Sequence, residues 1–249
     1  MGHEFELTEE IELAGTPEQV WDAIATGPGI DSWFMGRNEI EPREGGKTRM
    51  SLGGFADDGT VTAWEPGRRF AFRGIDNPDG TFMAFEYLIE GRGGGSTVLR
   101  VVHSGILGDD WEDQYDALSV GNRMYLRKLA AYIAHFPGRP ASHTLFLPGG
   151  PVADKERAWS AFTAAFGLPA TVAEGDRARL AVDGLPAVDG IVEFARRPTY
   201  LGVRTDDGLY AVIHGFRDGV VVEYHGFAAD ADEKELERAW HAWLARAFD

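Results

Sequence analysis

The segment "STVLRVVHSGILGDDWEDQYDAL", residues 96–118, contains the side chain best suited to acid–base chemistry, His103. An imidazole titrates near neutral pH and can serve as a general acid or base. A histidine base usually needs an orienting partner, and the nearest carboxylates, Asp109, Asp110 and Glu112, fall where a helix is expected to begin. A catalytic role, a ligand contact and a structural hydrogen bond therefore all stay open for His103.

Strand parity indicates which side chains could share a site with His103. Along "TVLRVVHS", alternation places Leu99, Val101 and His103 on the face opposite Arg100, toward the helix that follows. Apolar walls with a few polar groups are typical of a small-molecule site. The predicted ligand-binding residues are Trp33, Phe34, Phe70, Phe72, Phe85, Tyr87, Leu99, Val101, His103, Tyr115, Leu118, Asn122 and Tyr125.

Core packing is the alternative for most of this set, since a small sheet and one helix must be filled in any case. It explains the polar members less well. His103 and Asn122 lie on otherwise apolar faces, where each needs a hydrogen bond or costs roughly 1 to 3 kcal/mol. Tyr87, Tyr115 or Tyr125 could polarise a ligand carbonyl beside His103, so an enzymatic role is a further hypothesis.

The sequence contains no motif for a metal site, a phosphate-binding loop or a catalytic nucleophile. It has no cysteine, which excludes disulfides and thiolate sites. "GRGGGS" lacks the Lys-Ser/Thr ending of a phosphate loop and precedes a strand, and no GxSxG occurs. We therefore expect neither a metal nor a cofactor. No HxH, HxxxH or HExxH spacing connects the seven histidines, which are His3, His103, His135, His143, His214, His225 and His241.

Amino-acid composition and net charge exclude several classes of protein and of partner. The 249 residues are 44% hydrophobic and 26% charged, and 40 acidic against 24 basic side chains give a formal charge of -16. Such a charge repels phosphate backbones and anionic lipid surfaces, so we expect no nucleic-acid or membrane partner. No apolar run approaches the roughly 18 residues of a membrane span. The N-terminus lacks the pattern of a secretory signal, which makes a cytoplasmic location the expectation.

Changes in the spacing of apolar residues along the chain indicate the strands and helices that position the candidate residues. Residues 4–13 alternate like a strand whose period slips at Thr8. Thr16 and Gln19 form the capping-box start of a helix, and a second short helical segment should end near Met35. The next part of the chain has period two, which predicts an antiparallel meander.

The predicted strands of that meander are separated by the turn signals "EGG", "DDG", "EPG", "NPDG" and "GRGGG". They cover residues 38–41, 47–52, 60–64, 69–73, 81–89 and 97–104. Apolar positions then recur every three or four residues over 111–136, which predicts one long helix. The fold class is therefore α+β, with the long helix packed on one face of the sheet.

The remainder of the chain resembles a shortened copy of the first part. "PGRP" at 137–140 breaks the long helix and has the composition of a linker. "DGTVTAWEPGRRFAFR" from Asp58 aligns with "DGIVEFARRPTYLGVR" from Asp189. A strand at 143–147, a helix from Asp154, further strands and a terminal helix at 231–248 repeat the order of elements. We predict two domains, 1–138 and 139–249, with chance similarity as the alternative.

Several motifs together resemble one known family. "GTPEQVWDAI", "DSWF", "TAWEPGRRFAF", "FEYLIEG" and "STVLRVVHSG" leading to "WEDQYDAL" are similar to the START-like, or SRPBCC, helix-grip superfamily. Within it they most resemble the group of homologues of the activator of heat-shock ATPase. The resemblance implies a curved antiparallel sheet that grips the long C-terminal helix, with a cavity between them that often holds an apolar ligand.

The resemblance implies no universal catalytic motif, because relatives include aromatases or cyclases, lipid or hormone carriers and a stimulator of a chaperone ATPase. We expect the first domain to bind a hydrophobic or aromatic small molecule without turnover. The alternatives are a cyclase or dehydratase that uses His103 as acid or base, and a chaperone-associated interaction module. In the alignment of the two domains, Tyr224 of the second domain lies at the position of His103. We expect the second domain to be a packing domain or to bind a partner. The sequence sets neither the ligand's identity nor the oligomeric state.

Overall fold

The structure, a computed structural model, describes residues 2–228 and 233–248. The chain forms two compact units, the first ending at Pro140 and the second beginning at Ala141. Both units are built from helices and one antiparallel sheet each, so the α+β class is confirmed. No helix of the described part is long and apolar enough to cross a membrane.

Residues 2–140 contain seven strands and three helices. The elements are β1 (His3–Leu13), α1 (Pro17–Ala25), α2 (Gly27–Ile30), β2 (Arg37–Ile40), β3 (Lys47–Leu52), β4 (Phe55–Glu65), β5 (Arg69–Gly74), β6 (Phe82–Gly91), β7 (Thr97–Leu107) and α3 (Trp111–His135). The strands form one antiparallel sheet in the order β1-β7-β6-β5-β4-β3-β2. Strand β1 thus lies beside the last strand, and the chain between them forms the predicted meander.

The beginning of α1 is fixed by the predicted capping box. The Thr16 hydroxyl accepts a hydrogen bond from the Gln19 backbone N–H at 3.3 Å, and Gln19 Oε1 accepts one from the Thr16 N–H at 2.9 Å. These two bonds satisfy backbone donors that a helix start leaves open. The second short helix ends at Ile30 rather than near Met35, because the chain continues there as a hydrogen-bonded turn.

The predicted slip of period in β1 is wrong. Leu7 pairs with His103, and Glu9 pairs with Val101, in an unbroken antiparallel register from His3 to Leu13. Alternation therefore continues through the strand, and Glu9 occupies a position on the same face as Leu7 and His103. A carboxylate at an apolar position made the pattern look shifted, although the backbone is regular.

The described part of the second unit has six strands and two α-helices. Its elements are β8 (His143–Pro151), α4 (Lys155–Ala165), β9 (Arg177–Leu180), β10 (Val188–Arg196), β11 (Tyr200–Arg204), β12 (Gly208–His214), a 3₁₀ turn (Phe216–Asp218), β13 (Gly219–Gly226) and α5 (Glu233–Phe248). The sheet order is β8-β13-β12-β11-β10-β9. Within residues 141–228 and 233–248, this is the topology of the first unit with one strand fewer and no counterpart of α2. Residues 231 and 232, predicted as helix, lie outside the described residues.

The aligned hairpins of the two units agree in detail. β4 is irregular between Val61 and Ala63, and β10 is irregular between Val192 and Phe194, 131 positions further on in each case. A Cβ added to Gly59 would lie 2.7 Å from the Arg73 carbonyl oxygen, and one added to Gly190 would lie 2.7 Å from the Arg204 carbonyl oxygen. The same close backbone approach therefore excludes a side chain at both positions.

Cross-strand charges repeat at the same place. Arg49 lies 3.5 Å from Asp58 across β3 and β4, and Arg179 lies 2.6 Å from Asp189 across β9 and β10. All four side chains are exposed, so these ion pairs contribute little to stability. In both units the arginine lies directly opposite the aspartate in the strand pairing, which agrees with the alignment of Asp58 with Asp189.

Candidate functional site

The candidate site lies on the inner face of the first sheet, which we define as the face that carries His103 and meets α3. Pairing between β6 and β7 sets Phe85 opposite His103 and Tyr87 opposite Val101. Pairing between β5 and β6 continues the rows to Phe72 and Phe70. The alternation of three neighbouring strands thus gathers aromatic rings on the inner face, as the sequence pattern predicts.

His103 is held by rings and by one hydrogen bond. Its imidazole stacks on Phe85 with 3.9 Å between ring centroids and meets Phe5 edge-on at 5.1 Å. Its Nδ1 lies 3.1 Å from Asn122 Oδ1, on α3. Because an amide oxygen only accepts, this orientation places the proton on Nδ1. Nε2 is then a buried acceptor with no partner among the described residues.

A glycine two residues beyond His103 lets β6 and β7 approach closely. Gly105 has φ +155°, and a Cβ there would lie 2.0 Å from the carbonyl oxygen of Phe82. Any larger residue would push the two strands apart. Gly105 therefore helps to keep Phe85 and His103 in stacking contact.

The turn after α2 brings two aromatic side chains to the edge of the inner face. The Trp33 indole N–H donates to the Ala23 carbonyl oxygen at 2.9 Å, which ties the turn to α1. The neighbouring Phe34 contacts Tyr125 of α3, with 4.5 Å between ring centroids. These contacts join the turn to the long helix across the site.

Between the turn, the sheet and α3 lies a cleft of about 20 Å³, which is room for about one water molecule. Among the described residues, the space here is thus narrower than the cavity that the family resemblance implies, because the Phe34 and Tyr125 rings meet across it. Sites for drug-sized molecules measure ~300 to 1,000 Å³. The cleft is lined by Glu9, Trp33, Phe34, Phe85, Tyr87, Val101, Asn122, Tyr125 and Leu126.

Seven of the predicted binding residues line this cleft, and six do not. Phe70 and Leu99 are fully buried under it, and Phe72 stacks on Phe85. His103 lies behind Phe85 and reaches the cleft only through Asn122. The remaining two, Tyr115 and Leu118, pack against a separate cluster formed by Phe5, Leu7 and Leu107.

Sequence reasoning missed two lining residues, Glu9 and Leu126. The carboxylate of Glu9 accepts a hydrogen bond from Arg123 Nε at 2.8 Å, which connects β1 to α3 at the edge of the cleft. Strict alternation from Leu7 would have found Glu9. Leu126 lies four residues after Asn122, so helical spacing would have found it.

The chemistry available to His103 is limited by burial. Removal from water lowers its pKa to about 4, and the hydrogen bond to Asn122 raises it only in part. The ring is therefore neutral at pH 7, and its partner is an amide rather than the carboxylate that orients a typical histidine base. Burial also raises the pKa of the Tyr87 phenol. In the described residues no three His, Asp or Glu side chains are grouped so as to hold a metal ion.

The corresponding positions of the second unit are filled differently. Tyr224 pairs with Tyr210 in the register that pairs His103 with Phe85, and the two phenol rings lie 4.5 Å apart. Tyr210 also contacts Phe166 and Trp240. All four are buried in one apolar cluster, so aromatic side chains occupy this side of the second sheet.

An antiparallel sheet whose inner face meets a long C-terminal helix defines the START-like helix-grip class. Residues 14–134, within the first unit, match the model of the family described as "Activator of Hsp90 ATPase homolog 1-like protein", so the first unit is similar to this family. No curated protein matches the chain.

Solved structures that resemble the chain in fold include the following three. Protein MLL2253 from Mesorhizobium loti is 22% identical, with 53% of this chain and 98% of that one covered and a TM-score of 0.47. The Aha1 dimer from Colwellia psychrerythraea is 19% identical, with 52% and 96% covered and a TM-score of 0.43. The di-domain ARO/CYC BexL is 13% identical, with 98% and 97% covered and a TM-score of 0.47.

Proposed function

We propose that the first unit binds an apolar, aromatic small molecule in the cleft between its sheet and α3, without turnover. One observation carries the proposal: Phe85 and Tyr87 lie inside the sheet, on β6, yet both keep part of their surface exposed within the cleft. Exposed aromatic surface in a concave site is a favourable place for an apolar ligand, because each Å² removed from water contributes about 25 cal/mol.

Entry of such a ligand requires the cleft to widen. The contact that closes it joins Phe34, on a surface turn, to Tyr125 on α3, and Phe34 is itself partly exposed. Rotation of these rings would open the space without a change in the sheet. A planar aromatic molecule could then replace the ring-to-ring contact with contacts of the same kind.

Binding of N-phenyl-1-naphthylamine, a neutral fluorescent probe, tests the proposal. We expect saturable binding to the wild-type protein, and about tenfold weaker binding to Val101→Phe, because the added ring fills a cleft that Val101 lines. Val102→Phe is the matched control, since Val102 pairs with Glu86 on the opposite face of the sheet. Its affinity should equal that of the wild type.

Two results would overturn the proposal. One is a wild-type protein that binds no probe and carries no apolar molecule in native mass spectrometry and solvent extraction. The other is equal affinity of Val101→Phe and the wild type, which would place the probe elsewhere.

The remaining hypotheses have less support. An acid–base role for His103 would need a pKa near the working pH, and burial lowers its pKa to about 4. A chaperone-associated role stays a prediction. A pull-down with a bacterial heat-shock chaperone ATPase would test it. A cytoplasmic location likewise stays a prediction.

A further inference from the structure

The amide of Asn122 is the polar group that the cleft offers to a ligand. Its Oδ1 is occupied by the Nδ1–H of His103 at 3.1 Å. Its Nδ2 carries two N–H donors, and no acceptor for them lies among residues 2–228 and 233–248. Asn122 lines the cleft and is partly exposed. The side chain therefore presents donors where a bound molecule would lie.

The orientation of this amide is set by His103. The imidazole is 2% exposed and is enclosed by Phe85 and Phe5, so it cannot move to another partner. If the amide turned over, Nδ1 would have to accept, and the proton would move to the buried Nε2, where the described residues provide no acceptor. A buried N–H without a partner is rarer than a buried acceptor without one. The arrangement with Nδ2 as the free donor is therefore favoured.

The charge around the cleft disfavours an anionic ligand. Glu9 is the charged residue among those that line it, and its carboxylate already pairs with Arg123. None of the described lining residues is a cation, and His103 is neutral at pH 7 because burial lowers its pKa to about 4. A ligand carboxylate would lose its hydration in the cleft, where the cation at its edge, Arg123, is already paired with Glu9; this costs several kcal/mol.

We propose that the cleft selects an uncharged apolar molecule with a carbonyl oxygen, such as a ketone, aldehyde, quinone or ester, which accepts a hydrogen bond from Asn122 Nδ2. This inference rests on the function proposed above and names the chemical class of the ligand. His103 is a positioning residue here, since it holds the amide and does not touch the ligand. The apolar body of the molecule lies against Phe85 and Tyr87.

Three probes of similar shape separate the possibilities: 2-acetylnaphthalene, 2-ethylnaphthalene and 2-naphthoate at pH 7.5. For the wild type we expect the ketone to bind about five- to tenfold more tightly than the ethyl compound, which is the effect of one hydrogen bond. The carboxylate should bind more weakly than both. The carbonyl stretch of the bound ketone should move to lower wavenumber in the infrared spectrum.

Two variants test the roles of the side chains. Asn122→Leu has similar size and no donor, so the preference for the ketone should disappear while 2-ethylnaphthalene binds at least as well as before. His103→Phe keeps the stacking on Phe85 and frees the amide, so the preference should decrease and the shift in the carbonyl stretch should diminish. A merely structural role of His103 would change the affinity for both neutral probes equally.

The failures of the two proposals are distinguishable. If no naphthalene probe binds the wild type, the proposed function fails and the inference fails with it. If the ethyl compound binds as tightly as the ketone, or the preference survives in Asn122→Leu, only the inference on the carbonyl is overturned. Tighter binding of 2-naphthoate would overturn the uncharged class.

Discussion

The two units share one topology but use the side of the sheet that meets the helix differently. In the first, Phe85 and His103 stack beside a narrow cleft, and Phe85 stays partly exposed. In the second, the equivalent pair is Tyr210 and Tyr224, which are buried in a cluster with Trp240. The same backbone plan thus carries a cleft in one unit and a filled core in the other.

The difference teaches that side chains, rather than strand order, decide whether this fold has room for a ligand. Tyr224 shows this directly, because a Cβ added to Gly208 or Gly226 would lie 2.5 Å from its phenol group. Glycines in the neighbouring strand and in its own strand let this phenol lie flat on the sheet. At the position of Tyr224 the first unit has the smaller ring of His103, which is tied to the helix instead.

Truncation at one matched pair of positions should give the largest contrast. We expect Tyr210→Ala to reduce the free energy of unfolding of the second unit by about 3 to 5 kcal/mol, since it leaves a cavity in a closed core. Phe85→Ala should reduce that of the first unit by only about 1 to 2 kcal/mol, because the ring is partly exposed already. Hydrogen exchange resolved by unit measures both values. Equal losses would mean that the two cores are equally packed.

Acidification should affect the first unit through His103. Its pKa is about 4 in the folded protein against about 6.5 in an unfolded chain, so the unfolded state binds the proton first. The stability contribution is complete above pH 6.5 and is lost as the pH falls toward 4, by up to about 3 kcal/mol. Urea unfolding of wild type and His103→Phe between pH 4 and 7.5 measures it.

In that experiment the carboxylates titrate in both proteins, so the difference between the two curves isolates His103. Parallel curves would contradict the prediction. The second unit should behave in the opposite sense, because burial raises the pKa of both Tyr210 and Tyr224. Their contribution is present at neutral pH and is lost as the pH rises above about 10, where the unfolded phenols ionise.

A glycine substitution should give the smallest effect. Gly121 lies in the middle of α3, next to Asn122, and nothing lies within 4 Å of a Cβ added there. Gly121→Ala should therefore raise the free energy of unfolding by about 0.5 to 1 kcal/mol, since glycine is a poor helix former. Thermal unfolding measures the gain. If widening of the cleft involves bending of α3 at this residue, the variant should also bind the naphthylamine probe more slowly.

Gly202 in the second unit is the control for that substitution. A Cβ there would lie 2.1 Å from the ring of Phe194, so Gly202→Ala should destabilise by about 1 to 3 kcal/mol. A loss of stability in Gly121→Ala, or a gain in Gly202→Ala, would contradict the contrast between the two glycines.

The sequence predicted the frame of the first unit well because its signals are local. The capping box at Thr16 and the strand Lys47–Leu52 agree with the structure residue for residue. Strand ends were less predictable: β4 begins at Phe55 rather than residue 60. The exposed hairpin before residue 60 has no apolar alternation, and backbone pairing alone extends the strand.

The size of the cleft could not be predicted from local sequence patterns. Parity placed Phe85, Tyr87 and Val101 on the inner face, and the helical stripe placed Asn122 opposite them. The volume of the cleft depends on how rings from distant segments meet, as Phe34 and Tyr125 do. The spacing of apolar residues within one strand or helix carries no information about such a contact. The predicted boundary at residue 138 also rests on composition, whereas the units divide after Pro140.

The irregularity shared by β4 and β10 bears on the history of the molecule. An extra residue interrupts the ladder and reverses which face later side chains occupy, so evolution rarely moves it once a core depends on it. Its recurrence 131 positions later is consistent with two copies of one structural unit in a single chain. The same offset joins Gly59 to Gly190 and Arg73 to Arg204, which makes this hairpin a reference for numbering one half against the other.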